Sequence, residues 1–308
     1  MTDSQPLTGS GGLGDIPYLR LPQPERLFTR RAERFRTLAA GHTLAEFLEL
    51  LGRIAAAQAV AAAQVKISTN GLEPPRERPL DAANHRRGPE WRQALSVIVS
   101  ELRDAPAPPE TRAALELLAA LPPPELEALA DRVLANAVQG ADLAAGPFAA
   151  AALQVYFTAL AARLPSGAVA RQRDGCPVCG SLPVAGLVLG DDKLRYLVCS
   201  LCASQWHHTR VQCTACHEGE GIAYYALEGE RAHQAGVAGA SARAEACPAC
   251  KAYTKLFYAE KDPSLEPFAD DVATLALDLL MAEEGWARHG VNLFLLPGEP
   301  AVAGVASP

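Results

Sequence analysis

Cysteine is absent from the first 175 residues of this 308-residue chain, and all eight cysteines lie in the remainder. An excess of positive charge is also missing: the formal net charge is −7 and the sequence pI about 5.6. Non-specific nucleic-acid binding depends on Lys and Arg neutralising phosphates, so this balance speaks against it. No apolar h-region stands at the start, where Met1 to Gly14 is polar and glycine-rich, and a secretory signal is not expected. Thr29-Arg30-Arg31 looks like a twin-arginine export motif, but Glu33, Arg34, Arg36, Glu46 and Glu49 follow it, so a charged helix face is expected instead. The most apolar stretch, Leu143 to Ala162, is interrupted by Gly146-Pro147, and the clean run from Phe148 is about 15 residues. That is short of the ~20 a spanning helix needs, so a buried core helix and no membrane insertion are expected. There is no Ser-His-Asp order, no paired-carboxylate signature and no phosphate-cradling loop. Gly9-x-Gly11-Gly12-x-Gly14 has no strand before it.

What is present divides into two halves. The length suggests two domains of roughly 100–200 residues, and 49% apolar with 20% charged residues excludes a disordered chain. The first half reads as helices between proline breaks: Glu25 to Ala40, Thr43 to Lys66, Glu90 to Arg103, Glu110 to Leu121, Pro124 to Val138 and Phe148 to Arg163. Thr43-Leu44-Ala45-Glu46 is a capping-box pattern, and Leu44, Phe47, Leu48, Leu51 and Ile54 then share a face. A mobile polar loop is expected from Leu72 to Pro89.

The period changes in the second half. Leu182–Leu189 and Leu194–Val198 flank a Gly-Asp-Asp-Lys turn and read as a hairpin, with further strands at Ile222–Leu227 and Tyr253–Tyr258. One helix is expected from Phe268 to Gly285, then a short apolar segment at Leu293–Leu296 and a frayed end at 298–308. The expected division is a flexible N-terminus (1–20), an all-α helical domain (21–168), two metal-binding subdomains (169–210 and 211–262) and a C-terminal helix and tail (263–308).

The chemistry lies in Cys176/Cys179, Cys199/Cys202, Cys213/Cys216 and Cys247/Cys250, four Cys-x-x-Cys pairs with none left over. Two residues between cysteines let a tight turn aim both sulfurs at one ion, and two such turns supply a tetrahedron of thiolates. In a cytoplasmic chain, paired cysteines favour metal over disulfide. The hairpin between the first two pairs fits a ribbon-type site. The interval from Cys216 to Cys247 is longer, with a Gly/Ala/Ser-rich surplus at Gly229–Arg243 that could bulge out. A rival pairing joins Cys199/Cys202 with Cys213/Cys216. Gly180 suits the strained position that ends such a turn, whereas Ala203, His217 and Lys251 stand there in the other pairs and suit it less. A closed four-thiolate shell leaves no open coordination position, which argues for a staple rather than a hydrolytic metal, while one-electron redox at iron stays open. His207, His208 and His217 are surplus to eight thiolates. Asp270, Asp271 and Asp278 read as helix-start charge and a solvated face.

The order Arg195-Tyr196-Leu197-Val198-Cys199-Ser200-Leu201-Cys202, then Trp206, Arg210-Val211-Gln212-Cys213, Cys250-Lys251-Ala252-Tyr253-Thr254-Lys255 and Asp270-Asp271-Val272-Ala273-Thr274-Leu275-Ala276-Leu277-Asp278, resembles the FdhE family of accessory proteins for formate dehydrogenase maturation. The resemblance covers about residues 173–295. It implies two rubredoxin-like iron sites, each held by four cysteines, with zinc accepted by the same shell. The family's metal ligands fall on Cys176, Cys179, Cys199, Cys202, Cys213, Cys216, Cys247 and Cys250. It also implies a non-enzymatic role in the cytoplasm on the catalytic subunit of respiratory formate dehydrogenase, a molybdenum enzyme, before export. A homodimer is compatible with it. The rival readings are a nucleic-acid-binding tandem zinc ribbon and a rubredoxin-like electron carrier.

Overall fold

The computed structural model describes residues 16–68, 77–140, 142–165, 174–190, 192–227 and 241–296. The glycine run near the start, Asn70-Gly71, the first part of the polar loop, most of the Gly229–Arg243 surplus and the frayed end fall outside these residues.

Six helices form the first part: α1 (Pro24–Ala39), α2 (Ala45–Gln64), α3 (Glu90–Arg103), α4 (Pro109–Ala120), α5 (Pro123–Leu134) and α6 (Asp142–Ala161). Proline opens α1, α4 and α5 where its missing N–H would be unsatisfied anyway. The 20-residue α6 is long and apolar enough to cross a membrane, but it packs against α2, α3, α4 and α5 and is mostly buried. It begins before Gly146-Pro147 rather than after it. Pro147 removes only the bond to the carbonyl of Leu143, a residue 40% exposed.

The expected capping box does not form. Leu44 is the N-cap of α2 and no side-chain cap bond is made by it. Instead the Leu44 amide donates to His42 Nδ1 at 2.9 Å, a ring held from its other side by the Ala273 carbonyl at 3.1 Å. The expected charged face of α1 holds at Arg30, Glu33 and Arg36, which are exposed, but not at Arg31 and Arg34. Arg31 and Arg34 are buried, paired to Glu266 at 3.1 Å and to Asp270 at 2.5 Å.

The strands are β1 (Leu19–Arg20), β2 (Pro183–Leu189), β3 (Leu194–Cys199), β4 (Gln205–His207), β5 (Ala223–Tyr225), β6 (Ala242–Ala246), β7 (Ala252–Tyr258) and β8 (Ala287–Arg288). They make one mixed sheet in the order β1-β4-β3-β2-β7-β6-β5, with β8 beside β7. Two antiparallel ribbons, β1-β4-β3-β2 and β7-β6-β5, are joined by the parallel pairing of β2 with β7 through Gly186↔Leu256 and Leu187↔Phe257. A Cβ on Gly186 would stand 2.5 Å from a terminal methyl of Leu256, so any larger residue would have to displace that side chain.

The helix expected from Phe268 to Gly285 is broken at Thr274 into α7 (Pro267–Ala273) and α8 (Leu275–Glu283). Lys255 Nζ donates to the carbonyls of Asp271 and Thr274 at 2.8 and 3.2 Å, and the Thr274 hydroxyl donates to the Asp270 carbonyl at 2.8 Å. Lys255 thus occupies the carbonyls of Asp271 and Thr274 at the break, while the Thr274 amide keeps its helical bond to the Asp270 carbonyl at 3.0 Å. Beyond α8, Leu293 and Phe294 are buried in the helical core, with Phe294 against Phe35.

Candidate metal centres

The four cysteine pairs fold as four copies of one turn. In each, the first cysteine's amide donates to the carbonyl five residues on: Cys176 to Ser181 (2.9 Å), Cys199 to Ser204 (2.9 Å), Cys213 to Glu218 (2.7 Å) and Cys247 to Ala252 (2.9 Å). The residue after each pair is left-handed, with φ of 82° at Gly180, 56° at Ala203, 64° at His217 and 58° at Lys251. The three non-glycine residues therefore adopt the same conformation as Gly180, and the turn repeats without loss of form.

The turns meet as two quartets, Cys176/Cys179/Cys199/Cys202 and Cys213/Cys216/Cys247/Cys250, each with its sulfurs within 4.8 Å of one another. The rival pairing of the middle turns does not occur. Across pairs, Cys176 and Cys202 Sγ are 3.6 Å apart and Cys179 and Cys199 Sγ 3.3 Å; in the second quartet, Cys213–Cys250 and Cys216–Cys247 are each 3.6 Å. A disulfide would need about 2.05 Å. A tetrahedron with metal–sulfur bonds of ~2.3 Å has edges of roughly 3.8 Å, close to what is found. Amides of Val178, Leu201, Cys202 and Ala215 point at the sulfurs of the pair's first cysteine at 3.3–3.4 Å, as thiolates require. Burial pushes the Cys176 and Cys199 thiols well up, while hydrogen bonds from Cys176, Cys199, Cys202 and Ser181 outweigh burial at Cys179 and hold that thiol well down, so four neighbouring sulfurs without a cation do not all ionise. The donor set and spacing fit a tetrahedral metal ion in both places.

The two quartets differ in surroundings. All four sulfur-bearing residues of the first are 0% exposed, and they join the same apolar cluster as the helices. Their turn carbonyls are satisfied from the helical part. The amides of Leu80 and Ala82 donate to the carbonyls of Val178 and Cys179, each at 2.9 Å, and Gln154 of α6 donates to the Ser200 carbonyl at 2.8 Å. The segment 77–88, expected to be mobile loop, is thus a clamp on the first turn. Gln154 in turn accepts from Arg31 and Gln58, at 2.9 and 3.0 Å. In the second quartet Cys216 and Cys250 are exposed.

Arg195 of β3 ties the second quartet to the first ribbon. Its guanidinium donates to the Gln212 carbonyl (3.0 Å) and Thr214 Oγ1 (2.7 Å), either side of Cys213, and pairs with Glu245 of β6 at 2.7 Å. No spacing pattern in the sequence marks Arg195, Gln154 or Leu80, because each acts across a long stretch of chain. Neither quartet includes a histidine. His208 Nε2 donates to the Gln212 carbonyl (3.2 Å), His217 lies 3.6 Å from Asp174, and the His207 ring packs on Tyr196. The expectation that Asp270, Asp271 and Asp278 lie on a solvated face is wrong. Asp270 pairs with Arg34, and Asp271 and Asp278 both pair with the fully buried Lys255 at 3.2 and 2.5 Å.

Three family models match consecutive stretches of the chain: "FdhE, N-terminal" over residues 16–174, "FdhE, central domain" over 175–210 and "FdhE, C-terminal domain" over 211–295. A protein named "Protein FdhE homolog" in Edwardsiella ictaluri is 41% identical, the match covering 94% of this chain and 95% of the relative. Its namesake in Yersinia pestis is 37% identical over 93% of each chain. The crystal structure of the FdhE protein from Pseudomonas aeruginosa superposes with a TM-score of 0.78 at 34% identity, over 92% of this chain and 100% of that one.

Proposed function

The chain belongs to the FdhE family, and from that premise we propose that it is a non-catalytic accessory protein for formate dehydrogenase maturation, holding the enzyme's catalytic subunit in the cytoplasm. Cys176, Cys179, Cys199 and Cys202 hold one ion in a rubredoxin-like unit, and Cys213, Cys216, Cys247 and Cys250 hold a second. The family resemblance favours iron, and zinc fits the same shell. Bound iron supplies folding free energy and a one-electron couple, and zinc only the former.

The closed four-sulfur geometry is the observation that supports this reading best. A shell complete without water or substrate suits holding a fold in shape for a partner. Protein purified without oxygen should contain two metal equivalents per chain and should retain the catalytic subunit in a pull-down from cells making formate dehydrogenase. Cells lacking the gene should lose that enzyme's activity, and normal activity without it would sink the proposal. Exposure of Cys216 and Cys250 favours a second reading, electron transfer through iron at the outer site. That reading requires a visible colour that bleaches reversibly, and a colourless, zinc-only protein removes it.

A further inference from the structure

A groove of about 360 Å³ opens where α1 meets the sheet and the start of α7. Leu21, Leu27 and Leu187, all half-buried, give it apolar surface, and Arg20, Arg26 and Arg30 stand around it. Arg26 and Arg30 lie four residues apart on α1, so both project from one side of the helix, and Leu27 lines the groove beside them. Both are exposed, and none of the three arginines pairs with a carboxylate among the described residues. Arg20 instead lies over the Tyr196 ring, 4.1 Å from its centroid. The carboxylate in the lining, Glu266, is committed elsewhere: Oε1 accepts from Arg31 and Oε2 from the amides of Phe268 and Ala269. A chain of net charge −7 thus keeps three guanidiniums without a carboxylate partner around one cleft of mixed polar and apolar lining. Such a concentration of one sign attracts the other. The strand β1, which contains Arg20, is the end of the sheet and pairs only with β4 among the described residues, so its outer edge suits an extended backbone.

We propose that this groove receives an extended segment of a partner polypeptide, with carboxylates on Arg20, Arg26 and Arg30 and an apolar side chain over Leu21, Leu27 and Leu187. The segment's source rests on the function proposed above: it belongs to the catalytic subunit of formate dehydrogenase. The groove's chemistry does not rest on it.

The test measures fluorescence anisotropy of a short fluorescein-labelled peptide of alternating Glu and Leu with the full metal-loaded chain. The wild type should bind it, and R26E/R30E should bind about tenfold more weakly. R36E, an exposed charge on α1 outside the groove, should bind as wild type does. Peptides of alternating Gln and Leu, or Glu and Ser, should each bind about tenfold more weakly than Glu/Leu. Metal content and circular dichroism should match the wild type, with R26Q/R30Q replacing the reversal if R26E/R30E misfolds. Absence of binding, or equal affinity for wild type and R26E/R30E, overturns the proposal. So does an affinity that rises about tenfold when residues 1–15 are removed, which assigns the groove to this chain's own start. The same variants are then assayed with the purified catalytic subunit. Should the peptide bind while the subunit does not bind the wild type, the proposed function fails and the groove stands. Should the subunit bind wild type and R26E/R30E equally, the groove fails and the function stands.

Discussion

Gly175 stands directly before the first cysteine with φ of 75°, and a Cβ there would lie 2.4 Å from the Gly180 carbonyl oxygen. That oxygen belongs to the backbone of the same turn, so it cannot swing away as a side-chain tip would. Gly140, between α5 and α6, has φ of 52° and open space where a Cβ would go. The two glycines separate strain from collision. Gly140→Ala should cost only the left-handed backbone penalty, about 1–2 kcal/mol. Gly175→Ala should cost that plus a displaced turn, roughly 3 kcal/mol or more, and should lower metal content at the first quartet. Urea midpoints and metal analysis of both variants check this, and equal losses in the two would show that the turn tolerates the methyl group. At this scale the two quartets of cysteines were legible, because Cys-x-x-Cys is a local pattern. The groups that support them were not. Gln154 sits 46 residues from the carbonyl that it satisfies, and a polar residue in an apolar helix carries no mark of its partner.

Among elements, the join between the sheet and the last two helices depends on a buried charge cluster. Lys255 on β7 and Arg288 on β8 face Asp271 on α7 and Asp278 on α8, with Asn292 donating to Asp271 at 2.9 Å and Tyr253 to Asp278 at 2.7 Å. Two cations meet two carboxylates, so removing one cation strands a buried negative charge. Lys255→Met should destabilise the chain by about 3–5 kcal/mol at neutral pH. Burial alone would raise the Asp271 carboxyl, but Arg288 and Lys255 outweigh it and hold it below its ordinary 3.8. The folded chain therefore binds fewer protons at Asp271 than the unfolded chain does. This contribution is complete above about pH 5 and is lost as pH falls through and below the ordinary carboxylate range. Denaturant titrations from pH 7 to 3 should show the wild type losing its advantage over Lys255→Met on acidification, and a constant difference would refute the role given to Asp271. Periodicity located the six helices and the β2–β3 hairpin, since their faces repeat regularly. It missed β6, whose Ala-Arg-Ala-Glu-Ala has too little bulk to read as a strand and is fixed by pairing on both sides. It missed the break at Thr274, where Lys255 from another element bonds the carbonyls of Asp271 and Thr274.

Across the whole molecule the two metal centres are unequal, and the inequality follows from which core each one joins. The first quartet shares an apolar cluster with all six helices, and its turns are held by the 77–88 segment and α6. The second sits beside a small cluster of Leu227, Ala244, Ala246, Tyr253, Leu277 and Met281, with two cysteines at the surface. A structural four-sulfur site contributes ~10–16 kcal/mol to folding, comparable with the ~5–15 kcal/mol net stability of a typical domain. Loss of the first ion should therefore unfold the helical part, whereas loss of the second should loosen only β5, β6 and their turns. Access follows the same order, because a chelator can reach exposed sulfurs directly but must wait for the helical core to open before meeting buried ones. Metal release to a chromogenic chelator should run in two phases of one equivalent each. The fast phase should leave helical circular dichroism intact and be missing from Cys250→Ser. The slow phase should coincide with loss of the helical signal, and Cys176→Ser should accumulate poorly as folded protein. A single phase, or helical loss in the fast phase, would mean that the two centres stand or fall together and that the first is not seated in the helical core as its contacts require.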